Sequence, residues 1–110
     1  MTTTDVPEPV AGLLDAVNRH DEEAFLDAFT SDGFVDDWGR TFTGREAIDG
    51  WSGKELIGAR GHLAVQSVET NAAGEVVVVG DWRSEYANGL SRFTFVVDGD
   101  QVASMTIREG

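Results

Sequence analysis

From about Arg60 the period of the apolar residues along this chain changes to that of strands, and that change constrains the fold more than any other feature. Before it, apolar residues recur at helical spacing; after Pro9, Val10, Leu13, Leu14 and Val17 fall on one face. After it come four runs rich in Val, Phe, Thr, Trp and Ile, near 61–70, 75–87, 90–97 and 101–108. Turn signals separate them: Asn71 to Gly74, Asn88-Gly89 and Asp98-Gly99. Asn-Gly and Asp-Gly supply the positive φ angles of tight hairpins, so the runs read as an antiparallel meander. Helices first and a meander after them make an α+β domain with helices on one face of the sheet. At 110 residues the chain reads as one domain, 1–110, with polar residues 1–7 as a flexible tail.

Within the first half, Asn18-Arg19-His20 ends the first helix. Asp21 reads as the N-cap of a second, with Glu22 and Glu23 in its first turn and Phe25, Leu26 and Phe29 on its buried face. Phe34 to Trp38 and Thr41 to Thr43 read as short strands. Thr43-Gly44-Arg45-Glu46 fits a capping box opening a third helix, short because of Gly50 and Gly53, with Ala47, Ile48 and Trp51 inward. "VVVV" at 76–79 is apolar on both faces of its strand, so the side away from the helices calls for a cover, and a second copy of the chain is the natural one.

Charge narrows the partners. Twenty acidic residues against eight basic ones give a formal net charge of −12, with the basic residues scattered singly. Such a chain repels phosphate backbones and anionic lipid, which argues against nucleic acid and membrane surfaces as partners. There is no cysteine, which removes thiol chemistry, disulfides and Cys-based metal sites. The two histidines have no metal-ligand spacing, "GKELIGARG" lacks the context of a phosphate loop, and no cofactor is expected. The start "MTTTDVPEPV" does not read as a signal peptide, and no apolar run reaches membrane-spanning length, so a cytoplasmic location is expected.

The candidates for chemistry begin with "FVDDW". By alternation Asp37 shares a face with Val35, while Phe34, Asp36 and Trp38 share the other. Asp37 could point into an apolar interior, where desolvation makes a carboxylate a useful base, or both aspartates could lie solvated on a strand end. Asp36 is read as solvated. His62 opens a strand and could act as an acid or base, although alternation with Leu63 and Val65 turns it outward. His20, at a helix end, is read as structural. Tyr86 offers a hydroxyl near a turn, and Trp82 a flat apolar surface. Arg83 beside Asp81 and Glu85, with Arg92 across the Asn88-Gly89 turn, reads as a set of cross-strand ion pairs.

The segments "VNRHDEEAFLDAF", "FVDDW", "TFTGREAI", "GHLAVQSVE" and "VASMTIRE" together resemble the nuclear transport factor 2-like superfamily, over about residues 9 to 108. Within it they look most like the group of SnoaL-like polyketide cyclases and ketosteroid isomerase. The resemblance implies three N-terminal helices packed on a curved, mainly antiparallel sheet, forming a cone around an apolar cavity. It places Asp37 where ketosteroid isomerase has its general base, and raises His62. It implies a cavity lined by Leu13, Val35, Leu63, Trp82, Ser91, Phe93, Phe95 and Met105, with Gly80, Ser84 and Ile107 beside them. Leu13 and Ser91 stand where the isomerase has its Tyr and protonated Asp donors, so efficient steroid isomerisation is not expected. Two functions follow from the resemblance: cofactor-free acid–base chemistry on a hydrophobic carbonyl compound, with Asp37 as base and His62 or Tyr86 as partner, or a non-catalytic, homodimeric binding or structural module.

Overall fold

The computed structural model describes residues 5–110. Residues 1–4 of the expected tail lie outside that range, and residues 5–7 have no regular structure. Helix α1 spans Val10–Asn18 and buries Val10, Leu13, Leu14, Ala16 and Val17, the face that the helical spacing marks out. Helix α2, Glu22–Asp27, is capped by Asp21, whose carboxylate accepts from the Ala24 N–H at 3.1 Å. Phe29 belongs not to that helix but to strand β1, Phe29–Asp37, and meets Phe25 edge-on with ring centroids 5.3 Å apart.

Strand β2, Arg40–Thr43, returns antiparallel to β1. Helix α3 follows as Arg45–Glu55. Its N-cap is Gly44, at φ 87°, with no side-chain cap, so the expected Thr43–Glu46 capping box does not form. Nor is the helix short: at 11 residues it is the longest of the three, because burial of Ile48, Trp51 and Ser52 outweighs the low propensity of its glycines. Ala47, expected inward, is exposed. Four strands complete the chain: β3 His62–Thr70, β4 Val76–Arg83, β5 Gly89–Asp98 and β6 Gln101–Glu109.

The six strands form one sheet in the order β2-β1-β6-β5-β4-β3. Every neighbouring pair is antiparallel except β1 with β6. That parallel pair closes the N-terminal hairpin onto the meander. Register shifts interrupt β1 against β6, β3 against β4 and β5 against β6. Each such irregularity bends its strand and adds twist, which curls the sheet around the helices without closing it. The concave side holds Val35, Leu63, Val76, Val78, Phe95, Val102 and Met105 against Leu13, Val17, Phe25 and Ile48 in one core. Asn18 fixes α1 to the sheet: its amide accepts from the Leu63 N–H at 2.8 Å and donates to the Leu63 carbonyl at 3.0 Å. His20 does similar work, its ring donating from Nε2 to the Gly61 carbonyl at 2.9 Å.

Candidate functional site

Two residues connect β1 to β2. Trp38 and Gly39 both take positive φ, 55° and 93°, which a tight two-residue hairpin requires. Glycine adopts that region freely, whereas an L side chain there costs about 1–2 kcal/mol. Asp36 offsets part of the cost, since its Oδ1 accepts from the Gly39 N–H at 2.8 Å. The same carboxylate takes both arms of the Arg108 guanidinium, at 3.0 and 3.1 Å, which ties β1 to β6. Asp36 is therefore not the solvated residue that the sequence suggests. Arg108 foremost, and the Gly39 N–H after it, hold its carboxyl below the usual range.

The turn carries Trp38 away from the face that alternation assigns it and out to the mouth of a cavity of about 730 Å³. The walls come from five parts of the chain: Asp37, Trp38 and Arg40 at the hairpin; Trp51, Glu55 and Leu56 at the end of α3; Trp82 on β4; residues 86–91 and Phe93 from the β4–β5 connection and β5; and Ile107, Glu109 and Gly110 at the end of the chain. All three tryptophans of the protein line it. Packing behind the walls fixes three of the rings, whereas Trp38 and Tyr86 are 60% and 61% exposed. Trp51 stacks on Phe42 with centroids 5.9 Å apart, Trp82 leans on Phe93 at 6.0 Å, and Phe93 stacks on Phe95 at 6.5 Å. Gly61 makes room for Trp82, because a Cβ there would lie 2.0 Å from the indole.

Asp37 forms the polar corner. Its Oδ2 accepts from the Trp51 indole N–H at 3.0 Å and from the Arg40 guanidinium. Arg40 also grips Glu55, at 2.5 and 3.1 Å, and lies over the Phe42 ring. Chief among the influences on Glu55 is this pairing, which holds its carboxyl below the usual range against the opposing effect of partial burial, with smaller lowering from Tyr86 and Lys54. No donor among the described residues reaches Asp37 Oδ1. The corner thus combines a Glu55 carboxylate paired to Arg40 with one free acceptor oxygen on Asp37.

The sequence matches no protein-family model and no curated protein. Solved structures match closely in shape. A candidate polyketide cyclase from Sinorhizobium meliloti superposes with a TM-score of 0.83 at 19% identity, over 98% of this chain and 100% of that one. An NTF2-like protein of unknown function from Cytophaga hutchinsonii gives 0.78 at 11% identity, over 97% and 93% of the two chains. The chain has the nuclear transport factor 2-like fold. A third match, Rv0760c from Mycobacterium tuberculosis in complex with estradiol-17β-hemisuccinate, gives a TM-score of 0.77 at 16% identity over 92% and 90% of the two chains.

Within this NTF2-like cone the structure brings Asp37, Tyr86, Trp82, Ser91 and Phe93 together on the cavity wall, with Ile107. It does not bring in the others. Leu13, Val35, Leu63, Phe95 and Met105 lie deeper, as fully or almost fully buried core residues that fill the narrow end. His62 is exposed at the start of β3, opposite Arg83, while its neighbour Leu63 is the inward residue. A role for His62 as acid or base on a molecule in this cavity has no geometric support. Gly80 and Ser84 are also absent from the lining. Gly80 abuts the Ala64 carbonyl, and β4 ends at Arg83 rather than running on to 87. There Ser84 folds the loop, its Oγ donating to the Ala87 carbonyl and accepting from the Tyr86 and Ala87 N–H groups. Of the expected surface ion pairs, Arg83–Asp81 forms at 2.9 Å, whereas Arg92 stands opposite Arg108 rather than an acid.

Trp38, Arg40, Glu55 and Glu109 were not among the residues singled out from the sequence for this site. Only Trp38 carried a signal, as the aromatic preceding a glycine in a two-residue turn. Among the described residues no group of His, Asp and Glu is arranged to hold a metal ion, and no helix is long and apolar enough to cross a membrane.

Proposed function

We propose that this protein binds a flat, ring-bearing hydrophobic small molecule in the cavity at the open end of its cone. The observation that carries the reading is an open cavity of about 730 Å³ whose walls include three indoles, a phenol and a phenyl ring. That volume lies inside the roughly 300–1,000 Å³ of sites for small organic ligands, and rings held by packing on their far side lose little freedom on binding. The steroid derivative held by Rv0760c, a protein of the same fold, supports the same class of ligand.

A second reading keeps the cavity and adds turnover: acid–base chemistry on a carbonyl compound, with Asp37 as base and the Tyr86 hydroxyl as donor. The free Oδ1 of Asp37 at the cavity wall favours it. Against it, Asp37 Oδ2 is already committed to the Trp51 indole and the Arg40 guanidinium. We further propose that a second copy covers the outer face of the sheet, where Phe34 and Val96 are exposed; sedimentation showing only monomer at high concentration would refute this.

Tryptophan-fluorescence titration with neutral polycyclic alcohols and ketones tests the binding reading, with Ser91→Phe as a variant that fills the cavity. Saturable quenching that is lost in Ser91→Phe, with its melting transition preserved, supports it. An unchanged response in that variant places binding elsewhere. Turnover of a ketone by the native protein that is abolished in Asp37→Asn, with binding retained, would promote the second reading over the first.

A further inference from the structure

The cavity wall is not neutral. Asp37, Glu55 and Glu109 contribute three carboxylates against the single guanidinium of Arg40, an excess of two negative charges. Arg40 is already committed to both Asp37 and Glu55, so an anionic ligand reaching this wall finds no free cationic donor unless those pairs break. Acceptors are in surplus instead: Asp37 Oδ1 has no donor, and Glu109 has no ion-pair partner among the described residues. Five aromatic rings complete the surroundings, and the face of each is electron-rich and attracts cations. The chain's net charge of −12 adds a long-range field of the same sign.

We propose that the cavity selects a cationic ligand, an aromatic or polycyclic body bearing a protonated amine, and discriminates against the matching carboxylate. This rests on the reading of the cavity as a ligand site and assigns it a charge preference. The apolar body lies among Trp82, Phe93 and Ile107, and the ammonium faces the mouth, between the aromatic faces and the free oxygens of Asp37 and Glu109.

Calorimetric titration of the full chain with three probes sharing one ring system tests this: 2-naphthylmethylammonium, 2-naphthalenemethanol and 2-naphthoate. The expected order is ammonium, alcohol, carboxylate. The ammonium should bind at least about tenfold more tightly than the carboxylate, a difference of roughly 1.4 kcal/mol. Raising the salt concentration narrows that ratio. Glu109→Gln, a change at an exposed position, narrows it as well. Equal binding of all three probes overturns the charge preference and leaves the cavity reading standing. Preference for the carboxylate overturns it and shows that Arg40 is released to the ligand. Failure of all three, the neutral alcohol included, removes the cavity reading and this proposal with it.

Discussion

Replacing Trp51 with Phe isolates the contact that organises the polar corner. Trp51 is 4% exposed and donates its indole N–H to Asp37 Oδ2 at 3.0 Å. Phenylalanine keeps an aromatic ring to stack on Phe42 but has no donor. A hydrogen bond to a charged acceptor contributes about 1.5–3 kcal/mol. Asp37 keeps Arg40 on the same oxygen, and its side chain is 13% exposed, so the lower end applies, about 1.5 kcal/mol. With an unfolding entropy of roughly 2.1 cal/mol/K per residue, or about 0.23 kcal/mol/K for the whole chain, the midpoint should fall by ~6 °C. The lost ring volume also lowers stability, so the assay is a double-mutant cycle: urea unfolding of the native protein, Trp51→Phe, Asp37→Ala and the pair. The cycle cancels the volume term and leaves a coupling of about 1.5 kcal/mol between the two side chains. Coupling below ~0.3 kcal/mol would mean that the indole does not hold the carboxylate.

Gly61→Ala drives a methyl group against the Trp82 indole; it should cost about 1–3 kcal/mol and weaken ligand binding, both read in one thermal-shift titration. Glu22 has a buried carboxylate oxygen with no partner, and burial raises its pKa above the ordinary 4.5. A raised carboxyl pKa in the folded state costs stability as pH climbs past the unfolded value, so Glu22→Gln should raise the melting temperature at neutral pH and lose that advantage below about pH 4.5. Asp36 is shifted the other way: its contribution is present above its ordinary pKa of 3.8 and is lost as pH falls through the lower folded value. Arg108→Met should therefore flatten the acid limb of the stability curve below pH 3.8, and an unaltered limb would show that the fork contributes nothing.

Local rules carried most of the fold. Helical spacing in α1, the Asp21 cap and the Asp-Gly turn each act within a few residues, so alternation and turn chemistry place much of the meander before any tertiary contact is known, whereas Asn88-Gly89 ends a longer connection over residues 84–88 instead of forming a tight hairpin. Where tertiary packing competes with a local preference, the sequence misleads. Phe29 fits the helical pattern of α2 but enters β1, where its N-terminal pairing with Val102 takes it into the sheet. The glycines of α3 predict a short helix, and burial of Trp51 and Ile48 extends it. At the site, Asp37 and Trp82 were legible from the strand pattern and the family resemblance. The partners of this corner were not, since Trp51, which donates to Asp37, lies 14 positions away and Glu55, which pairs with Arg40, lies 15 positions from it, and only folding brings them together. For His62 the family resemblance and the alternation of β3 pointed different ways, and the strand leaves its side chain exposed.

The three tryptophans report ligand entry into the cavity with three signals in one experiment. Each indole N–H gives its own proton–nitrogen NMR resonance, and all three side chains line the cavity. We would titrate the protein with 2-naphthalenemethanol and follow the resonances of Trp38, Trp51 and Trp82 together, with Ser91→Phe in parallel. All three should shift along one saturation curve, and the filled variant should leave them in place. Resonances that stay fixed in the native protein, or that move equally in Ser91→Phe, would contradict ligand binding in the cavity.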